Sequence, residues 1–120
     1  MRWWSFIVLG ILVAALTAGP TVSQESDRQG RGQQLFTYWC RTCHGPGTWE
    51  NRPLPGTGSL QNKYKGALPA VLEDRTDLAS PYVQFIIRKG SEGMPFFRKT
   101  EISDDEARAI GDYLARHDRK

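Results

Sequence analysis

The two cysteines of this 120-residue chain stand three positions apart, and the residue after the second is a histidine: Cys40-Arg41-Thr42-Cys43-His44. Four chemistries compete for that run. A dithiol redox pair belongs near a strand-helix-strand pattern, and none is present. Half a zinc site needs a second half, but beyond the run there are only His117 and carboxylates to supply it. A structural disulfide has no use for the adjacent histidine. The remaining reading accounts for all five positions. Each thiol adds across one vinyl group of a haem to give a thioether, the two-residue spacer lets one turn of chain reach both vinyls, and His44 is left against the iron as an axial ligand.

A second ligand is expected from elsewhere in the chain. Apart from Met1, Met94 is the only methionine. It lies in Gly90-Ser91-Glu92-Gly93-Met94-Pro95, where glycines free the backbone to approach a flat cofactor and Pro95 stiffens the exit. The plainer alternative is a gap-filling core methionine. Next to an attachment run, the ligand reading is preferred. A His/Met pair fills both axial positions and raises the reduction potential. His117 is the other conceivable ligand, but Arg116, Asp118, Arg119 and Lys120 around it describe a solvated tail.

The pattern of apolar residues predicts four helical elements and no strand. The first covers about 27–43, with Gly32, Leu35, Phe36, Trp39 and Cys40 on one face, and stops at Gly45-Pro46-Gly47. Residues 48–66 carry Pro53, Pro55, Gly56, Gly58 and Gly66 and read as a loop. A loop this long suggests wrapping around a ligand. In it, the carbonyl of Pro53 or Pro55 is a candidate acceptor for the second ring proton of His44. A short helix is expected near 68–74. Another is expected over 81–89, capped by Ser80 with Pro81 at its first position and closed by Gly90. The last begins at the capping box Ser103-Asp104-Asp105-Glu106 and runs to about Arg116, with Ala107, Ile110, Tyr113 and Leu114 as its core stripe.

The N-terminus is of a different kind. Arg2 and Trp3-Trp4 precede the apolar run Phe6–Leu16, and small residues follow it. This describes a secretory signal over 1–23, with Ala18, Gly19 and Ser23 all meeting the small-residue rule for cleavage. The run is shorter than the ~20 residues that span a bilayer. The rival is an uncleaved anchor with the two tryptophans at the interface. The domain is then 24–120. With Arg2 removed it keeps 15 basic and 13 acidic residues, a field too weak to argue for nucleic acid.

Taken in order, the first helix, the CxxCH run, the proline-bearing loop, the Pro-started helix, Gly-x-Met-Pro and the last helix resemble the class I c-type cytochromes over roughly 29–117. The resemblance implies an all-α cytochrome c fold, three to four helices and long loops wrapped around one covalent haem c. It also implies a contact between first and last helices, made by Gly32 and Phe36 against Ile110 and Tyr113. The stretches 66–78 and 94–103 are similar to the small cytochromes paired with flavoprotein dehydrogenases, the type of the p-cresol methylhydroxylase cytochrome subunit.

That resemblance implies a periplasmic electron carrier, not an enzyme. Its haem is held by Cys40 and Cys43, and its iron by His44 and Met94. Its partners are redox proteins, with a flavin- or quinone-cofactor dehydrogenase as donor and a respiratory acceptor. Membrane association is expected only if the N-terminal segment stays attached. Arg41, Lys63, Lys65, Arg88, Lys89, Arg98 and Lys99 are candidate docking cations. Two other functions compete: a haem enzyme or sensor with an open or displaceable sixth ligand, and a haem-free binding module closed by a disulfide.

Overall fold

The computed structural model describes residues 22–118. Nearly all of the expected signal segment lies outside the described residues, as does the side chain of His117. No helix among the described residues is long and apolar enough to cross a membrane.

The described residues form five α-helices and one two-stranded hairpin: α1 (Val22–Trp39), α2 (Arg41–His44), β1 (Thr48–Trp49), β2 (Arg52–Pro53), α3 (Pro55–Tyr64), α4 (Ser80–Lys89) and α5 (Asp104–Leu114). The last of these is central. Its stripe of Ala107, Ile110, Tyr113 and Leu114 is buried as the spacing predicts, against Phe36 of α1, Ile87 of α4, Leu78 and Ile102. Its start is the expected capping box: the Ser103 hydroxyl accepts from the Glu106 N–H at 3.3 Å, and the Glu106 carboxylate accepts from the Ser103 N–H at 2.8 Å.

Two glycines set the distances between helices. A methyl group on Gly32 would lie 2.7 Å from the Cβ of Tyr113 and closer still to the Ala109 carbonyl oxygen, so α1 and α5 touch backbone to backbone there. One turn later Phe36 meets the Tyr113 ring at 5.8 Å between centroids. This is the first-to-last helix contact implied by the resemblance, with Ala109 as an added partner. Gly111, on the other side of α5, is met by Ser80 of α4: a methyl there would lie 2.7 Å from the Ser80 hydroxyl oxygen.

Several expectations need correction. The first helix does not run unbroken to Cys43. It ends at Trp39, Cys40 joins it to a separate turn, α2, and α2 carries Cys43 and His44. The Cys43 N–H bonds to the carbonyl three residues back, at Cys40, and this tightens the chain at the junction. Residues 48–66 are not a loop. Glu50 and Asn51 both have positive φ, as a tight hairpin turn requires, and they pair β1 with β2.

Beyond the hairpin, Pro55 opens α3 at a position where a missing N–H costs nothing. Gly56 and Gly58 then stand inside that helix, each costing about 1 kcal/mol relative to alanine. The helix ends where Lys65 and Gly66 turn into the left-handed region. The helix expected near 68–74 shrinks to one 3-10 turn, Leu72–Asp74. Ser80 is the first residue of α4 and not its cap. Its hydroxyl accepts from Gln84, while Ala79 occupies the cap without a side-chain bond.

Candidate functional site

The candidate residues lie at the end of α1, on α2 and in the segment after α4, with α3 packed against His44. Cys40 closes α1, its N–H bonded to the Phe36 carbonyl at 2.8 Å, and its side chain packs half-buried against the core. Cys43, one turn on, is exposed. The thiols are free and not joined to each other. Burial, and then the neighbouring Cys43, push the Cys40 thiol up to about 12. A dithiol redox centre needs the opposite shift. No group of three or more His, Cys, Asp or Glu among the described residues is placed to hold a metal ion through protein ligands alone. The direction of the Cys40 shift runs against the redox-pair reading.

His44 ends α2, its N–H bonded to the Cys40 carbonyl at 2.9 Å. The ring is half-buried, and burial holds its pKa below the ordinary histidine value. Its Nδ1 is buried without a hydrogen-bond partner. The expected acceptor, a carbonyl of Pro53 or Pro55, is not in place, and the Pro55 carbonyl is taken by the Ser59 hydroxyl at 3.0 Å. What lies against the ring is the backbone of α3. A methyl on Gly56 would fall 2.5 Å from His44 Cε1 and 2.6 Å from Nδ1.

Met94 lies in a tight turn. The N–H of Ser91 bonds to the Met94 carbonyl at 3.2 Å, and the N–H of Met94 to the Ser91 carbonyl at 2.8 Å. Gly90 makes the approach possible. Its φ is 71°, and a Cβ there would lie 2.7 Å from the Met94 carbonyl oxygen. Downstream, the Phe97 N–H returns to the Ile87 carbonyl at 2.8 Å. Arg88 bonds to the Phe97 carbonyl at 3.1 Å and shares Asp104 with Lys99. Met94 borders an open groove of about 480 Å³ with a mixed lining, Phe85, Ile86, Pro95 and Phe96 beside Lys89, Ser91 and Glu92. Helix α3 links the surroundings of the two ligand candidates. It meets His44 at Gly56, and its Lys63 approaches Glu92 at 4.0 Å. The seven steps from Gly56 to Lys63 amount to about 10 Å of helix rise.

The fit to a haem can be judged from these residues. Among the described residues, the large side chains buried to under 2 % exposure are Phe36, Ile102 and Ile110, while Phe85 and Phe96 are 53 % and 62 % exposed. A core this small is marginal for a domain of about 100 residues. Two neighbouring free thiols followed by a histidine are the donor set that a covalent haem needs, and Phe85 and Phe96 are large apolar side chains left outside this core.

Sequence reasoning missed Arg75 and Glu73. Arg75 is 5 % exposed. It forks onto both Asp77 oxygens and lies 4.8 Å from the Tyr64 ring centroid, locking α3 to the chain that follows. Glu73 accepts from the Tyr113 hydroxyl at 2.5 Å, pairs with Arg41 at 3.4 Å, and its carbonyl accepts from Arg116 at 2.8 Å. Only their spacing to distant partners reveals them. Most of the candidate docking cations have a neighbour in the same chain, in pairs that are largely exposed at the surface. Arg41, Lys63, Arg88, Arg98 and Lys99 have acidic partners, and Lys89 stacks on Phe85. Lys65 stands exposed at the end of α3.

Comparison with known proteins follows the same line. The chain is 29 % identical over 106 residues to the cytochrome c subunit of 4-cresol dehydrogenase [hydroxylating] of Pseudomonas putida, a match covering 88 % of this chain and 73 % of that one. It is also 33 % identical over 75 residues to chondroitin sulfate synthase 3 of Homo sapiens, but it spans only 8 % of that much longer protein, and no argument is taken from it. No solved structure matches. The family model described as cytochrome c oxidase, cbb3-type, subunit III matches residues 27–114, from the first turns of α1 to the last residue of α5, and the chain belongs to that family of c-type cytochrome domains: it is a haem-dependent electron-transfer protein.

Proposed function

We propose that the protein is an extracytoplasmic monohaem carrier, with one haem c tethered through Cys40 and Cys43 and the iron held by His44 and Met94. The observation that carries the proposal is the CxxCH run on a single tight turn, both thiols free and the histidine wedged against α3. Such a haem supplies a one-electron Fe(III)/Fe(II) couple. The chain's residues do the rest. Cys40 and Cys43 would hold the haem covalently, and His44 and Met94, the latter on the Ser91–Met94 turn, would hold its iron and leave small oxidants no place to bind.

The donor we infer is a flavin- or quinone-cofactor dehydrogenase, and the receiver a respiratory acceptor. The similarity to a dehydrogenase's cytochrome c subunit supports the first. Residues 1–23 act as the export signal in this reading. The composition of 1–23 supports it, and the mass of the protein recovered from the periplasm tests it.

The test is Met94→Ala. Covalent haem should persist on a denaturing gel, the reduction potential should fall, and the ferrous protein should bind carbon monoxide where the parent does not. A variant with the parent spectrum and no carbon monoxide binding refutes Met94 as ligand. Absence of covalent haem from the parent protein refutes the whole proposal.

A further inference from the structure

We propose that Gly56 and Thr57, the second and third residues of α3, are positioning residues that set the orientation of the His44 ring; this rests on the assignment of His44 to the iron. Axial histidines are ordinarily oriented by a hydrogen bond to the second ring nitrogen. That bond is missing here, since Nδ1 of His44 is buried without a partner. Two other contacts hold the ring.

One is a wall. The bare Cα of Gly56 lies so close to the ring that a methyl there would stand 2.5 Å from Cε1, 2.6 Å from Nδ1 and 2.9 Å from the Cys43 carbonyl oxygen. Carbon atoms in ordinary contact are about 3.5 Å apart or more, so any side chain at 56 would drive the ring back by about 1 Å. The other is a pin. Thr57 is 7 % exposed. Its hydroxyl donates to the Gly45 carbonyl at 2.9 Å, with the Cys43 carbonyl at 3.4 Å. Those two carbonyls belong to the residues on either side of His44. The pin therefore fixes the backbone that carries the ring, and the wall fixes the ring itself. This also accounts for a glycine inside a helix, at a position where alanine would favour the helix more.

Gly58 supplies the control. It stands in the same helix, but a methyl there meets only Pro53, at 3.6 Å and beyond. Gly56→Ala and Gly58→Ala bring the same gain in helix propensity, and only the first touches His44. The readouts are the g values of the ferric protein by electron paramagnetic resonance and the midpoint potential, on purified haem-loaded protein. Gly56→Ala should shift the largest g value and the potential with haem per chain unchanged. Gly58→Ala should match the parent.

Thr57→Val keeps the shape and removes the proton donor. It should shift both readouts, and Thr57→Ser should restore them. If Gly56→Ala yields no loaded protein, the Thr57 pair decides. Thr57→Val with parent g values and potential overturns the inference, as does Gly56→Ala with parent values. The underlying assignment is checked separately. His117→Gln protein labelled with ¹⁵N-histidine leaves His44 as its only histidine. A nitrogen coupling to the ferric iron must then be seen, and its absence removes the His44 assignment itself.

Discussion

Replacing Tyr113 by phenylalanine removes one oxygen from the middle of the molecule and leaves the ring in place against Phe36. That oxygen donates to Glu73 Oε1 at 2.5 Å, a short charge-assisted bond. Tyr113 is 7 % exposed and the Glu73 side chain 14 %, so solvent replaces little of what is lost. A hydrogen bond to a charged group contributes about 1.5–3 kcal/mol net. The Glu73 carboxylate keeps Arg41 at 3.4 Å, which favours the lower part of that range, about 1.5–2 kcal/mol. For a domain near 100 residues this corresponds to a fall in Tm of roughly 6–16 °C.

The assay is urea unfolding of the haem-loaded protein at pH 7, as a double-mutant cycle with Glu73→Leu, in which a coupling above about 0.5 kcal/mol exceeds ordinary additivity error. A second arm uses pH. Burial first, and Glu73 next, hold the Tyr113 phenol above its usual value. The contribution is therefore complete below the unfolded-state value near 10 and declines as pH rises through the higher folded-state value. The gap between parent and Tyr113→Phe should be flat from pH 7 to about 9 and narrow above about 10. A variant within about 0.5 kcal/mol of the parent, a vanishing coupling, or a gap that widens with pH refutes the reasoning.

Gly32→Ala and Gly30→Ala gain the same helix propensity, about 1 kcal/mol, but nothing lies within 4 Å of a methyl at 30 while Tyr113 and Ala109 crowd one at 32. Urea unfolding should place the two variants about 1–3 kcal/mol apart, with Gly30→Ala the more stable. The Asp77 carboxyl is held below the usual carboxylate range, chiefly by its hydrogen bonds from Arg75. Its stabilisation is present above the unfolded-state value and disappears as pH falls through the lower folded-state value. Asp77→Asn should thus cost stability at pH 7 and flatten the acid limb of a stability-pH curve, and an unchanged limb would count against the pairing.

What the sequence disclosed follows from how local each signal is. The Ser103 capping box and the α5 stripe are each written within a dozen residues, and each stands where expected. The Gly32 contact was implied by the resemblance to the class I cytochromes, and a glycine that lets two helix axes approach closely is its physical sense. Helix α3 was illegible for a physical reason. Its Pro55, Gly56 and Gly58 oppose a helix on propensity, and the contact that requires Gly56 is with His44, twelve positions away. The hairpin was missed because Glu50-Asn51 lacks the glycine that usually announces such a turn. Burial of Arg75, and the pairing of five candidate docking cations with acids of the same chain, depend on partners that no local pattern announces.

The return of Phe97 to the Ile87 carbonyl has a consequence for how the molecule breathes. It ties off the base of a short lariat, residues 91–96, whose other end is fastened where the Gly90 N–H meets the Ile86 carbonyl. Swinging Met94 outward breaks the paired bonds with Ser91 but leaves both knots, and the helices beyond them, untouched. Outward movement of Met94 is thereby uncoupled from global unfolding. Amide protons inside the lariat should exchange through a shallow local opening, while those of Phe97 and Gly90 wait for a deeper one.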